Sequence, residues 1–135
     1  MNEQHMWKVF FDGGASPNPG TGSCAYKVTN GEKTYMEAWK LEGTHTNNQA
    51  EWKACLEGIR RVLTEDPDAE YVSVVGDSEL VINQLDGFYT VKRDSRKVYY
   101  DDAVQLIKSS KANFAFVYCA RELNEEVDAL CKIVR

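Results

Sequence analysis

The spacing of hydrophobic residues switches between strand-like and helical along this chain of 135 residues. Three β-prone runs come first, at 7–11, 23–29 and 34–41, and a long segment with helical spacing then begins near Asn48. The remaining pattern predicts a strand at 71–75, helices at 78–85 and 98–108, a strand at 113–118 and a final amphipathic helix. This order predicts an α/β fold with a mixed five-stranded sheet, in which three antiparallel strands precede alternating strands and helices that cover both faces.

Glycine, proline and asparagine mark the expected turns. Gly13 and Gly14, with the Pro17–Gly20 segment, predict that the first strand stops before them. Asn30-Gly31 favours a two-residue hairpin, because both positions tolerate a positive φ. The first two connections are therefore expected to be tight.

Capping residues define the ends of two predicted helices. Either Asn47 or Asn48 can cap the first helix, and Asp66-Pro67 lies beyond its end. Asn124 is expected to cap the final helix in the same way. Both assignments assume that the side-chain oxygen accepts a hydrogen bond from an unpaired backbone N–H group.

Length and composition suit one globular domain over residues 1–135, which we expect to be a monomer. With 43% hydrophobic and 27% charged residues and no long apolar stretch, the chain offers no membrane span. Residues 1–5 are polar and lack the apolar core of a secretion signal, so a cytoplasmic location is expected. Four cysteines occur singly in apolar segments, which predicts buried, reduced thiols: Cys24, Cys55, Cys119 and Cys131.

Four acidic residues stand at the ends of predicted apolar elements: Asp12, Glu51, Asp77 and Asp128. Asp12 and Asp77 follow strands, at the edge where open α/β sheets collect their ligands. Glu51 lies in the predicted first turn of its helix, and Asp128 borders the apolar face of the last one. Taken singly, each acid also fits a turn, a helix end or an exposed helical surface. Together they predict one site, since converging carboxylates need divalent cations to offset their repulsion.

Four segments resemble the sequence signatures of the type 1 ribonuclease H family, in the same order and at similar spacing. They are 12–20, 46–51, 76–78 and 121–130. The resemblance extends over nearly the whole chain and implies a ribonuclease H-like fold. It also implies an endoribonuclease that hydrolyses the RNA strand of an RNA·DNA hybrid with two Mg²⁺ ions, or Mn²⁺ as a substitute, and leaves 5′-phosphate and 3′-hydroxyl ends.

The resemblance makes each acid a catalytic residue and a metal ligand. It implies that Asp12 bridges both ions and that Glu51 and Asp77 complete the ion on the leaving-group side. Asp128 would help to hold the ion that carries the attacking water. Hard carboxylate oxygens suit Mg²⁺, and this chemistry needs no protein nucleophile.

Substrate contacts are expected at five further positions. The resemblance implies that Asn18, Asn47 and Asn48 line the minor groove of the hybrid, where short amides can contact the 2′-hydroxyl groups of RNA. It places Thr46 near a phosphate of the DNA strand, and Arg121 in the loop where some family members carry a histidine. The asparagines have alternative roles, because Asn18 lies between two prolines and the other two can cap a helix.

The net charge of the chain affects which partners it can bind. A formal net charge of −5 disfavours nucleic acid, although two divalent cations at one acidic site would offset most of it. A basic cluster is expected either to contact substrate or to form a solvated loop: Lys92, Arg93, Arg96 and Lys97. The long basic helix of certain family members is missing, so binding should be modest and sensitive to salt.

Two other functions compete with hybrid cleavage. Related nucleases of the proofreading exonuclease type carry Asp-x-Glu in the first strand, whereas Asp12-Gly13-Gly14 lacks the second acid. A catalytically retired ribonuclease H-like module would keep the fold and bind nucleic acid or a protein without cutting. The complete set of four acids favours the active enzyme.

Overall fold

The computed structural model describes residues 5–87 and 95–134, with residues 95 and 96 described by their backbone alone. Of the predicted basic cluster, Lys92 and Arg93 lie outside the described residues, as does the side chain of Arg96. Lys97 is described, and its Nζ lies 2.9 Å from Oδ1 of Asp101. The expected substrate contact of this cluster therefore stays a prediction.

One mixed sheet of five strands forms the centre of the fold, in the order β3-β2-β1-β4-β5. The strands are β1 (Met6–Ser16), β2 (Gly20–Thr29), β3 (Thr34–His45), β4 (Tyr71–Gly76) and β5 (Asn113–Tyr118). β1 pairs antiparallel with β2 and parallel with β4, while β2–β3 is antiparallel and β4–β5 is parallel. The predicted mixed sheet is thus confirmed, with β1 at its centre.

In the described part of the chain, four α-helices cover the two faces of this sheet. They are α1 (Asn47–Glu65), α2 (Glu79–Leu85), α3 (Ser95–Ser109) and α4 (Glu125–Val134), the last preceded by a short 3₁₀ helix at Arg121–Asn124. Successive residues of β1 serve opposite faces, as the period of a strand requires. Phe11 packs in the main core with residues of α1, whereas Phe10 packs against the smaller cluster that contains Val127 of α4. The prediction of helices on both faces is confirmed.

β1 continues through the glycines that were expected to stop it. Gly13 pairs with Cys24 and Gly14 pairs with Ser23, so both lie inside the strand. A Cβ atom on Gly13 would lie 2.3 Å from the backbone carbonyl carbon and oxygen of Ala50 in α1. Gly13 therefore permits close approach of two backbones, which is a known use of glycine within strands. The predicted end of β1 before Gly13 was wrong, and the turn lies at residues 17–19, within the predicted segment.

The β2–β3 hairpin forms where it was predicted, but its loop has four residues. Thr29 pairs with Thr34, and Oδ1 of Asn30 accepts hydrogen bonds from the backbone N–H groups of Glu32 and Lys33. Gly31 has φ +94°, in the region that favours glycine. The asparagine side chain thus supports a longer loop in place of the two-residue turn.

The helix caps differ from both predictions. Thr46 caps α1, since its side chain accepts a hydrogen bond from the backbone N–H of Gln49 while the Gln49 side chain accepts one from the backbone N–H of Thr46. Asn124 is buried before α4, but its Oδ1 has no hydrogen-bond partner among the described residues. Its Nδ2 instead donates to the carbonyl oxygen of Phe11, at 2.9 Å. Asn124 therefore makes a contact with β1 rather than a local cap.

None of the four cysteines forms a disulfide bond. Cys24, Cys55 and Cys131 are buried as predicted, whereas Cys119 is partly exposed because it follows the edge strand β5. None of the helices in residues 5–87 and 95–134 is both long and apolar enough to cross a membrane.

We predict that Gly13→Ala lowers the free energy of unfolding by at least about 2 kcal/mol, because the new methyl group collides with the Ala50 backbone. Gly43→Ala is the control, since Gly43 has φ +80° but open space where the added methyl group would lie; we expect a loss of about 1 kcal/mol from the backbone alone. Chemical denaturation of both variants measures the difference. Equal losses would show that the close approach at Gly13 does not matter.

Candidate active site

Asp12 and Asp128 come together from opposite ends of the chain. Asp12 lies within β1, one residue beyond the last β1–β4 pair, Phe11 with Gly76, and is 8% exposed. It was expected at the end of its strand, and the correction follows from the extension of β1 to residue 16. The Asp12 carboxyl group is hydrogen-bonded to that of Asp128 in α4. Such a contact between two acids requires a shared proton.

Opposite pKa shifts indicate where that proton resides. Burial, the charge of Asp77 and the hydrogen bond with Asp128 together raise the pKa of Asp12 to about 8, and burial is the largest of these causes. Burial would also raise the pKa of Asp128, but hydrogen bonds from Lys132 and Asp12 outweigh it and lower that pKa below its ordinary value. Nζ of Lys132 lies 3.0 Å from Oδ2 of Asp128. Asp12 is therefore the member of the pair that keeps its proton to the higher pH.

Glu51 extends this acidic cluster from α1. It is the fifth residue of the helix, so it lies in the second turn and not in the first as predicted. The pKa of Glu51 is raised to about 7, chiefly by burial and also by the charge of Asp77, while a hydrogen bond with the Ser78 side chain and the charge of Arg121 oppose the rise. Ser78 also caps α2 by accepting a hydrogen bond from the backbone N–H of Val81. One hydroxyl group thus serves both the helix and the carboxylate.

Asp77 lies at the junction of β4 and α2, as predicted. Its side chain is only 8% exposed, and its Oδ2 is buried without a hydrogen-bond partner among the described residues. Arg121 lies near it, with its Nε 3.8 Å from this oxygen. Burial raises the pKa of Asp77, and Arg121 opposes the rise. A buried carboxylate oxygen without a donor is an unsatisfied ligand atom.

Two contacts hold the last helix against the sheet near these acids. Asn124 donates to the carbonyl oxygen of Phe11, the residue before Asp12. The Ser23 hydroxyl donates to the backbone carbonyl oxygen of Cys131 at 2.8 Å, which fixes the following turn of α4 to β2. Asp128 lies in the helix between these two contacts.

The structure therefore brings all four predicted acids into one electrostatically linked cluster. Within residues 5–87 and 95–134, no three acidic, histidine or cysteine side chains are already spaced as a formed metal-binding group. The donor set nevertheless fits a hard divalent cation, because it consists of carboxylates and includes the unpartnered Oδ2 of Asp77. Positive charge at this point would also relieve the repulsion that raises the pKa values of Asp12, Glu51 and Asp77.

Three of the predicted substrate residues lie together where the loop after β1 meets the start of α1. The backbone N–H of Asn47 donates to Oδ1 of Asn18 at 3.0 Å, and Oδ1 of Asn47 accepts from the backbone N–H of Ala15 at 2.7 Å. Both asparagine side chains are thereby fixed in direction while remaining exposed. The Thr46 hydroxyl accepts from Gln49 and can still donate its own hydrogen.

The two remaining substrate candidates are less engaged with the protein. Both Oδ1 and Nδ2 of Asn48 are buried without hydrogen-bond partners among the described residues. Arg121 has 76% of its side chain exposed and lies beside Asp77. An unpaired amide and an exposed guanidinium are both suited to bind a polar ligand.

Sequence reasoning missed three residues that support the cluster. Lys132 could have been found, because Asp128 and Lys132 stand at i,i+4 spacing on one helix. The contact of Ser78 with Glu51 and that of Asn124 with Phe11 join distant parts of the chain. No local sequence signal indicates them.

Comparisons with known proteins agree with this architecture. The sequence model of the reverse transcriptase-like family matches residues 10–134. The uncharacterized protein YpeP of Bacillus subtilis (strain 168) is 32% identical over 127 residues, which cover 92% of this chain and 56% of that protein. The chain thus spans little more than half the length of this relative.

Two solved structures have closely similar folds. LC11-RNase H1 in complex with an RNA/DNA hybrid superposes with a TM-score of 0.86 at 28% identity and covers 95% of each chain. RNase H1 from the halophilic archaeon Halobacterium salinarum NRC-1 gives 0.84 at 25% identity, covering 94% of this chain and 95% of that one. With the family match and the predicted motifs, these likenesses show that the chain belongs to the reverse transcriptase-like family, and within it to the type 1 ribonuclease H proteins.

Proposed function

We propose that this protein is an endoribonuclease that hydrolyses the RNA strand of RNA·DNA hybrids with two divalent metal ions, and leaves 5′-phosphate and 3′-hydroxyl ends. The observation that carries the proposal is the meeting of four carboxylates from β1, α1, the end of β4 and α4 in one cluster. A fold that buries so many acids together without a function for them would be destabilised by their repulsion.

Asp12, Glu51, Asp77 and Asp128 are the residues that would hold Mg²⁺, or Mn²⁺ in its place. When bound, the ions would lower the pKa of a water molecule and stabilise the departing 3′ oxygen. The raised pKa values of Asp12 and Glu51 mean that metal competes with protons for these carboxylates near neutral pH. Metal affinity should therefore increase as the pH rises towards 8.

Residues at the start of α1, and in the loop that contacts it, would bind the minor groove of the hybrid. Asn18 and Asn47 each accept a hydrogen bond from the backbone, which fixes the direction of the side chain before substrate binds. Their amide hydrogens can therefore contact substrate with little further loss of conformational entropy. Asn48 has both polar atoms buried and unpaired, and once its amide turns outward a ribose 2′-hydroxyl can both donate to it and accept from it. Thr46 can donate to a phosphate of the DNA strand, and Arg121 can pair with a phosphate near the carboxylates.

The proposal includes a single domain that acts as a monomer in the cytoplasm. The absence of disulfide bonds among its four cysteines suits a reducing compartment. Gel filtration of the purified chain tests the oligomeric state.

We predict that Asp12→Asn and Asp77→Asn each reduce Mg²⁺-dependent cleavage of a labelled RNA·DNA hybrid by about a hundredfold or more, because each removes a ligand charge from the metal centre. RNA duplex and DNA duplex of the same sequence, assayed beside the hybrid, define the substrate.

Asp68→Asn is the matched control. Asp68 precedes β4, at the opposite end of that strand from Asp77, and 71% of its side chain is exposed. The Asp68→Asn variant should cleave the hybrid as fast as the unmodified protein does. Undiminished cutting by Asp12→Asn and Asp77→Asn would refute the assigned site, and an unmodified protein that binds hybrid without cutting it would indicate a retired module.

We predict that Asn48→Ala lowers kcat/KM on the hybrid about tenfold but leaves stability unchanged or raises it by up to about 1 kcal/mol, because the lost amide has no partner in the protein. Asn47→Ala should differ, since Oδ1 of Asn47 accepts from Ala15, and should destabilise the protein by about 1 kcal/mol. Hybrid cleavage and chemical denaturation of both variants test this contrast. A large loss of stability in Asn48→Ala would show that this amide supports the fold.

We predict that the metal-free protein becomes less stable as the pH rises from 4 to 8. The folded pKa of Asp12, about 8, exceeds its ordinary value of 3.8, so between these values the folded state binds more protons than the unfolded state and the free energy of unfolding falls with pH. Asp12→Asn should therefore add about 1 kcal/mol or more at pH 8 and little at pH 4. Denaturation in a chelating buffer measures this, and an equal effect at both pH values would contradict the stated cause.

A further inference from the structure

Asn124 is a buried polar residue at a junction of the structure. It ends the 3₁₀ helix that leads into α4, and only 2% of its surface is exposed. Its Nδ2 donates to the carbonyl oxygen of Phe11, 2.9 Å away and 113 residues distant in sequence. Its Oδ1 has no hydrogen-bond partner in the part of the chain that the structure describes.

The two ends of this hydrogen bond lie next to two acids of the candidate site. Phe11 immediately precedes Asp12 in β1, and Asn124 precedes Asp128 by about one turn of helix. The bond therefore ties the backbone that carries Asp12 to the turn that carries Asp128. The two carboxyl groups meet in a hydrogen bond of their own.

A contribution to stability alone does not explain why residue 124 is an asparagine. A buried carboxamide oxygen without a partner is unfavourable, and an apolar residue of similar size would avoid that cost. The residue lines a cavity together with Phe10 and Val127, and the charged residues Lys27 and Glu126 line the same cavity. The benefit of the asparagine must then come from its single donated hydrogen bond.

We infer that Asn124 is a positioning residue, which sets the separation of the Asp12 and Asp128 carboxylates so that they can share bound metal. This inference rests on the proposed metal-dependent function. Asn124 itself is not a ligand, since it acts on the β1 backbone through the carbonyl oxygen of Phe11. Groups that orient ligands in this way commonly affect metal affinity by roughly 10- to 100-fold.

The test compares Asn124→Leu with Ser23→Ala. Ser23→Ala also removes a buried hydrogen bond between the sheet and α4, but that bond starts from β2 and not from the strand that carries Asp12. Mn²⁺ binding to each protein is measured by calorimetry without nucleic acid, and hybrid cleavage is measured across a range of Mn²⁺ concentrations. Circular dichroism confirms folding, and Asn124→Ala replaces Asn124→Leu where leucine prevents it.

We expect Asn124→Leu to weaken Mn²⁺ binding about tenfold and to raise the Mn²⁺ concentration for half-maximal cleavage by a similar factor, while KM for the hybrid at saturating Mn²⁺ changes less than about threefold. Ser23→Ala should stay within about twofold of the unmodified protein in all three quantities. Excess Mn²⁺ should restore much of the cleavage by Asn124→Leu, which a general loss of structure would prevent.

Unchanged Mn²⁺ affinity in a folded Asn124 variant would overturn the inference, and so would an equal loss in Ser23→Ala. An unmodified protein that binds no Mn²⁺ would overturn it as well. If the unmodified protein binds Mn²⁺ and the variant binds it more weakly, but neither cuts the hybrid, the positioning role holds and the proposed function fails. The two claims can thus fail separately.

Discussion

The close approach of β1 and α1 determines the geometry of the whole site. At Gly13 the two backbones leave no room for a side chain, and the second half of β1 is thereby held against the beginning of the helix. A hydrogen bond from Ala15 to the side chain of Asn47 adds a second link between the same elements. β1 is also the central strand and is paired on both sides, with β2 and with β4. Asp12 is therefore fixed, and Glu51 is brought to it by the helix that begins there.

The carboxylate cluster is maintained against electrostatic repulsion. Burial raises the pKa values of Asp12 and Glu51 far enough for protonation near neutral pH, which reduces the net charge of the cluster. Neighbouring groups offset the rest: Lys132 pairs with Asp128, and Arg121 lies close to the buried acids. Destabilising arrangements of this kind are typical of functional sites, where the surrounding structure supplies the stability that the site lacks.

Sequence patterns predict the periodic parts of this fold well and the tertiary contacts poorly. The strand at 113–118 has the bounds expected from its alternating pattern, because that pattern reflects burial of one face. The local sequence predicts a turn at Gly13, since the reason for glycine there lies in Ala50, which is distant along the chain. It likewise predicts a cap at Asn124, although the partner of that residue is in β1. Thr46 could have been identified from its spacing to Gln49, which is the pattern of a capping box. The convergence of the acids was predicted from the resemblance and from their expected places at element ends. Their hydrogen bonds and pKa values depend on depth of burial, which the sequence does not reveal.

The contact between the last helix and the first strand determines when the acidic cluster can form during synthesis of the chain. A ribosome releases β1 first, yet Asp12 acquires its neighbour Asp128 only after the segment containing Asn124 has emerged and docked. Contacts between residues so far apart in sequence form late, since the intervening chain must be ordered first. A nascent polypeptide would therefore hold its sheet and α1 before it could assemble the complete acidic centre. Translation itself would delay the appearance of the acidic cluster, and a message truncated before the codon for Asn124 would yield a chain without it.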